Sequence, residues 1–193
     1  MSGIVGSRRN IRGSGLVGSL GTDGQVFTSS GAGAGAVYET AAGGGKIVQV
    51  TTGTSTTSTT VTATSFTATS LSGAITPTDD GNKILVDVDC SYSTYDNSGN
   101  CCRADVTVYR DIGGAGFSES ILNGGINTGY CKTDGAGQEV SEYGQFHAVF
   151  LDSPATTSEV TYKVYAAVNS SYNITIPNAP QLNTITLMET DES

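Results

Sequence analysis

The chain has 193 residues, a formal net charge of −9, only 14% charged residues and no tryptophan. That length holds one domain plus an extension, and the acidic balance excludes a nucleic-acid-binding head because it repels phosphate. No apolar run is long enough to span a bilayer, which argues against membrane insertion, and low charge with many β-branched residues favours an all-β surface protein over a typical cytosolic enzyme.

Residues 1–45 read as an extended Gly-rich arm. They hold 13 of the 26 glycines, including Gly31, Gly33 and Gly35 and the run Gly43-Gly44-Gly45. Apolar residues such as Ile4, Val5, Ile11 and Leu16 follow neither a helical nor a strand period. Such a segment buries too little apolar surface to offset its own ordering entropy, so a sister chain or a docking surface must order it. Three arginines, Arg8, Arg9 and Arg12, stand against Asp23 and Glu39, giving the arm a net +1. They are expected to dock on an acidic protein surface or simply to solubilise the tip. Val26, Phe27, Val37 and Tyr38 are the apolar residues expected to meet symmetry mates. The arm carries no secretory apolar core and no phosphate-loop Gly-Lys-Ser/Thr.

Residues 46–193 hold six basic and sixteen acidic residues, a net −10, and read as one β-sandwich or barrel. Strand signals fall near 46–52, 58–70, 71–76, 83–90, 102–110, 116–122, 127–132, 138–151, 159–168, 172–177 and 183–189, with turn residues between them. The stretch 51–72 has 16 Ser or Thr in 22 residues, and threonine is a good strand former on a wet face. Its apolar phase shifts between Ala63 and Phe66, which predicts a bulge or corner.

Ile84, Val86, Val88 and Cys90 alternate with Leu85, Asp87 and Asp89, and Cys102, Ala104, Val106 and Val108 alternate with Arg103, Asp105 and Thr107. Folding the two runs into a hairpin centred near Asp96 puts Cys90 opposite Cys102 and Asp89 opposite Arg103. The same register opposes Asp87 to Asp105, which requires either a cation or a basic neighbour there or strands that are not direct partners. Of the four cysteines, at 90, 101, 102 and 131, no two have zinc-knuckle spacing, and the only histidine is His147. Free buried thiols are the expectation, with Cys90–Cys102 the pair if a disulfide forms.

Catalytic candidates are few. His147 has Glu142, Tyr143 and Asp152 nearby in sequence, but its place between Phe146 and Ala148 makes it a surface or interface histidine on a strand. No serine sits in a G-x-S-x-G motif. Asp79-Asp80 belongs to a turn and Asp87/Asp89 to an outward strand face, so neither is read as a glycosidase pair. The loop 96–100 (DNSGN) lacks the distal Glu of a calcium loop and is read as a turn. No enzyme activity, catalytic residue, metal or cofactor is expected.

The segment LGTDGQVFTSSGAGAGAVY, residues 20–38, resembles a short module common in bacteriophage tail-fibre and other virion surface proteins, with Phe27 where that module usually has Leu. The opening MSGIVGSRRNIRGSG, GKIVQV at 45–50, SLSGAITPTDDGNKILVDV at 70–88 and TITLMET at 184–190 are similar to short structural proteins of marine tailed phages. The resemblance implies a homotrimer at the virion surface, with a jelly-roll-like antiparallel β-sandwich head. It also implies arms that thread together or onto other virion proteins, tail or capsid, and no enzyme activity. Two roles fit it: a tail-fibre-type protein whose head meets a host glycan or protein, and a capsid decoration protein with the head merely displayed.

Overall fold

The computed structural model describes residues 22, 24–29, 36–40, 46–96, 102–122, 126–131, 140–169, 173–178 and 180–191. The chain divides into two compact units, residues 1–44 and 45–193. Every strand pair is antiparallel, and no helix occurs among the described residues.

The first unit contains a two-stranded ribbon, β1 (Gln25–Ser29) and β2 (Ala36–Thr40). The sequence showed no strand period here because apolar Val26 and Phe27 are consecutive, and so lie on opposite faces of a five-residue strand. The turn before β1 is set by Gly24 at φ +86°, and the Thr22 N–H donates to Gln25 Oε1 at 2.8 Å. Phe27 stands directly opposite Tyr38, with ring centroids 5.1 Å apart. Arg8, Arg9 and Arg12 lie outside the described residues.

The second unit has eleven described strands. They are β3 (Lys46–Ser55), β4 (Thr60–Val61), β5 (Thr67–Ile75), β6 (Lys83–Asp96), β7 (Cys102–Ile112), β8 (Glu119–Ser120), β9 (Ile126–Cys131), β10 (Val140–Asp152), β11 (Val160–Val168), β12 (Asn173–Thr175) and β13 (Asn183–Asp191). In the first sheet β6 is flanked along its length by β10 on one side. On its other side β13 pairs with residues 83–89 and β12 with 93–95, and β3 and β4 lie beyond them. The second sheet runs β5-β11-β7, with β8 and β9 pairing separate parts of β7. Counting β3/β4, β8/β9 and β12/β13 as one broken strand each, the eight strands form two four-stranded sheets, β3/β4-β12/β13-β6-β10 and β5-β11-β7-β8/β9, in the strand order of a jelly roll. The head is therefore an all-β jelly-roll sandwich.

The alternation fixes which side chains face inward. Ile84, Val86 and Val88 of β6, Val106 and Val108 of β7 and Val160, Tyr162 and Val164 of β11 are all fully buried in one core. The inward assignment holds for Ile84, Val86, Val88 and Cys90 and for Ala104, Val106 and Val108, but the hairpin does not form. β6 and β7 belong to opposite sheets, so their apolar faces meet across the core and not side by side. Cys90 pairs with Phe146, Asp87 with Val149 and Asp105 with Ala167, so Asp87 and Asp105 are not opposed. Cys90 is a free, buried thiol, raised to about 12 by burial and by the charge of Asp89. The phase shift between Ala63 and Phe66 marks where the chain leaves β4 in the first sheet for β5 in the second.

Where β6 changes partners, a polar junction holds the chain. The Ser91 N–H donates to Asn183 Oδ1 at 2.6 Å, the Asn178 N–H donates to the Ser91 carbonyl at 2.9 Å, and the Asn183 amide donates to the carbonyls of Gln181 and Ser55. At the other margin β3 passes so close to β5 that a methyl group on Gly53 would collide with the Ser72 carbonyl, which is rigid backbone. Gly53→Ala is expected to lower head stability by about 3 kcal/mol. Thr52→Ala, on the exposed face of the same strand, is expected to change it by less than about 0.5 kcal/mol. Urea denaturation of both variants checks this, and equal effects would refute the close-approach argument.

Candidate interaction surfaces

Of the residues grouped around His147 in sequence, Asp152 is separated from it by strand phase. His147 points outward on β10, with its side chain 61% exposed, and its Nε2 lies 3.2 Å from Asp87 Oδ1. Tyr143 is also outward and 73% exposed. Asp152 lies on the inward phase and is engaged by other partners: both its oxygens accept from Arg110 Nη1, at 2.8 and 2.9 Å, and Oδ2 also accepts from the Tyr162 hydroxyl at 2.7 Å. The arrangement gives His147 a surface carboxylate neighbour in Asp87, and burial, followed by Asp152, raises the Tyr162 hydroxyl above its ordinary pKa. Asp79 sits in a turn, as its sequence context predicts: its Oδ1 accepts from the Gly81 N–H at 2.8 Å. Residues 97–100 lie outside the described residues.

Two outer faces carry features that a simple wet face lacks. On the first sheet, Leu151 of β10, Leu85 of β6, Met188 of β13 and Val50 of β3 form one row in register across four strands. Leu151 is 49% and Val50 53% exposed. The next row, Val149-Asp87-Thr186-Thr52, is mostly polar, so the apolar stripe is narrow and bordered.

On the second sheet four aromatic rings gather. Tyr109 of β7 and Tyr165 of β11 lie 4.3 Å apart between centroids; Phe66 stands 6.1 Å from Tyr109 and Phe117 stands 5.8 Å from Tyr165. The loop after β7 makes this possible. Gly113, Gly114 and Gly116 take positive φ, and the Gly116 N–H donates to Asp111 Oδ1 at 2.9 Å, which turns Phe117 back toward the sheet. Lys163 Nζ lies 5.8 Å from the Phe117 ring centroid. Partial burial, then the neighbouring Tyr109 and Asp111, raise the Tyr165 hydroxyl above its usual pKa. The result is a half-exposed aromatic floor edged by an ammonium, a carboxylate and two phenols. The cluster is not legible in the sequence, because Phe66, Tyr109 and Tyr165 come together only through the β5-β11-β7 order.

In the first unit, Val26 (43%) and Phe27 (50%) are both exposed, on opposite faces of the ribbon. Val37 and Tyr38 are half-buried. A two-stranded ribbon of this size is marginal alone, and its two faces offer separate apolar contacts.

These features define an antiparallel jelly-roll domain with two distinctive outer faces, preceded by a small ribbon-bearing unit. No protein-family model matches the chain, and no curated protein matches it. Among solved structures it is similar to the infectious bursal disease virus Gx strain, at 12% identity and a TM-score of 0.28 over 90% of this chain and 42% of that one. It is also similar to the VP2 subviral particle of infectious bursal disease virus, at 10% identity and a TM-score of 0.32 over 89% and 43%. The chain thus spans about two fifths of the length of those chains. The fold assignment rests on the strand order above and not on these similarities.

Proposed function

We propose that the chain is a virion surface structural protein of a tailed bacteriophage, a trimer anchored on other virion proteins through residues 1–45, whose head contacts a glycan of the host surface. The aromatic floor of Phe66, Tyr109, Phe117 and Tyr165 carries the host-contact part of this reading. Rings offered edge and face to solvent suit the C–H faces of pyranose sugars, and Lys163, Asp111 and the phenols suit their hydroxyls. The exposed ribbon residues Val26 and Phe27 support the arm as an assembly element. A jelly roll hosts many functions, so the fold adds only compatibility.

A second reading, a capsid decoration protein, is favoured by the apolar row Leu151-Leu85-Met188-Val50, which suits docking on a protein lattice. The two separate in one experiment. Full-length protein is tested on an array of bacterial surface polysaccharides, and an antibody fragment against the head is imaged on intact particles. Glycan binding that Tyr165→Ala weakens by about tenfold or more, with label at the tail, supports the first reading. No glycan binding, with label over the capsid, replaces it with the second.

A further inference from the structure

We propose that Glu142 and Thr94 hold one hard cation, Ca2+ by preference, at the end of the sandwich where β6 finishes beside the start of β10. The two residues are direct partners in the β6–β10 register. Glu142 shares the inward phase of Phe146 and Ala148, and Thr94 shares that of Cys90 and Tyr92. Thr94 is 1% exposed and Glu142 half-buried. Among the described residues, Thr94 Oγ1 and Glu142 Oε2 are the buried side-chain oxygens that have no hydrogen-bond partner. Opposed inward residues carry their Cβ atoms about 4.5–5.5 Å apart, so these two orphaned oxygens belong to one place.

A buried carboxylate oxygen needs donors or a cation. Glu189 shows the first solution, with hydrogen bonds from Thr78, Asn82 and Gln49. The surroundings of Glu142 lack that supply. Ile174, the partner of Thr94 on its other side, is fully buried and apolar. The next inward pair is Tyr92 and Gly144, packed so closely that a methyl group on Gly144 would collide with the Tyr92 ring. Arg110 is engaged by Asp152, and Lys83 stands at the opposite end of β6. A cation accepts lone pairs from the carboxylate and the hydroxyl together and balances the charge, which a bridging water does not. The head, with six basic against sixteen acidic residues, concentrates cations around it. Both donors are oxygens, which suits a hard ion, and Ca2+ tolerates the irregular geometry of one carboxylate, one hydroxyl and water better than Mg2+ does. No group of three or more His, Cys, Asp or Glu side chains occurs among the described residues, so one protein charge holds the ion and the affinity is low. Bound there, the ion ties β6 to β10 beyond their last apolar pair, Cys90 and Phe146.

Full-length protein, stripped with chelator and held at pH 7, is titrated with Tb3+, a Ca2+ analogue whose emission is sensitised by nearby tyrosine. Tyr92 lies two residues from Thr94 on the same face of β6, about 7 Å along the strand. The expected result is tyrosine-excited Tb3+ emission that Ca2+ displaces with an apparent Kd of about 10⁻⁴–10⁻³ M, Mg2+ displacing it less well. Ca2+ at about ten times that Kd should raise the thermal midpoint by about 3–6 °C. Glu142→Gln keeps the shape, removes the charge and should abolish both the displaceable emission and the thermal shift. Asp79→Asn, in an exposed turn, should keep both. Thr94→Val should weaken Ca2+ displacement by about threefold or more and, by deleting an unsatisfied hydroxyl, raise the midpoint without Ca2+. A parent chain with no Ca2+-displaceable emission overturns the proposal and leaves the place to a bridging water. Emission and shift that survive Glu142→Gln overturn it too, as does unaltered Ca2+ displacement in Thr94→Val. The parent titration and Thr94→Val decide even if Glu142→Gln fails to fold.

Discussion

Acidifying the protein is expected to remove about 3 kcal/mol of head stability through one buried carboxylate, Glu189. Glu189 is 0% exposed on β13, at the inward end of the series Asn183, Ile185, Leu187, Glu189. Burial alone pushes its pKa up. Hydrogen bonds from Asn82, Gln49 and Thr78 outweigh that and bring it down to about 2 from 4.5. Its Oε1 accepts from the Thr78 N–H at 2.7 Å, the Thr78 hydroxyl at 2.8 Å and the Asn82 amide at 2.7 Å; Oε2 accepts from Gln49 Nε2 at 2.6 Å. Every donor is neutral, so the charge is held by dipoles alone. Because the folded pKa lies below the unfolded value, this stability is fully present above about pH 4.5 and is lost as pH falls toward 2.

Urea titrations of the full-length chain at pH 7, 5, 4 and 3 measure the effect. Glu189→Gln puts an amide donor against Gln49, another donor, and is expected to lose about 2–3 kcal/mol at pH 7. It should also flatten the pH dependence below 4.5. A variant with the same acid loss as the parent would locate the titrating group elsewhere. The physical consequence lies in the 76–82 connection, which carries the chain from the second sheet back to the first. Thr78 and Asn82 of that connection, and Gln49 of β3, converge on Glu189, so its protonation loosens the loop and the β3 margin together.

Strand positions were legible because alternation is a local property, and the inward series of β6, β7 and β13 needs no partner to be seen. Strand partners were not legible, because an apolar face looks the same whether it meets a neighbour beside it or a sheet across the core. That is why Ile84–Cys90 and Cys102–Val108 read as a hairpin and are instead opposite walls. Two polar features were visible in principle. Glu189 falls on the apolar phase of TITLMET, and a carboxylate there implies a buried acceptor. Asp152 falls on the phase of Phe146 and Ala148, opposite to that of His147, which already separates the two. The aromatic floor had no such signal, because its four members are spread from residue 66 to 165 and meet only by register.

The inward phase of Asp152 makes it the other large single-residue contribution expected in the head. Asp152 ends β10 in the first sheet, and Arg110 and Tyr162 lie on β7 and β11 in the second, so the triad is a polar bolt across the sandwich. The Arg110 and Asp152 side chains are only 14% and 10% exposed, so water screens the pair little. Asp152→Ala removes the carboxylate that accepts from the Arg110 guanidinium and from the hydroxyl of Tyr162, itself 0% exposed. The expected loss is about 3 kcal/mol. Tyr162→Phe removes one neutral donor while the ion pair survives, and is expected to cost about 1 kcal/mol. The double variant Arg110→Met with Asp152→Leu discriminates desolvation from attraction. Burying two charges costs nearly what their attraction returns, so the double variant should recover most of the stability lost by Asp152→Ala. Urea midpoints of the four proteins give the comparison. A double variant no more stable than Asp152→Ala would show that the bolt contributes net attraction between the sheets, and that the head depends on this ion pair.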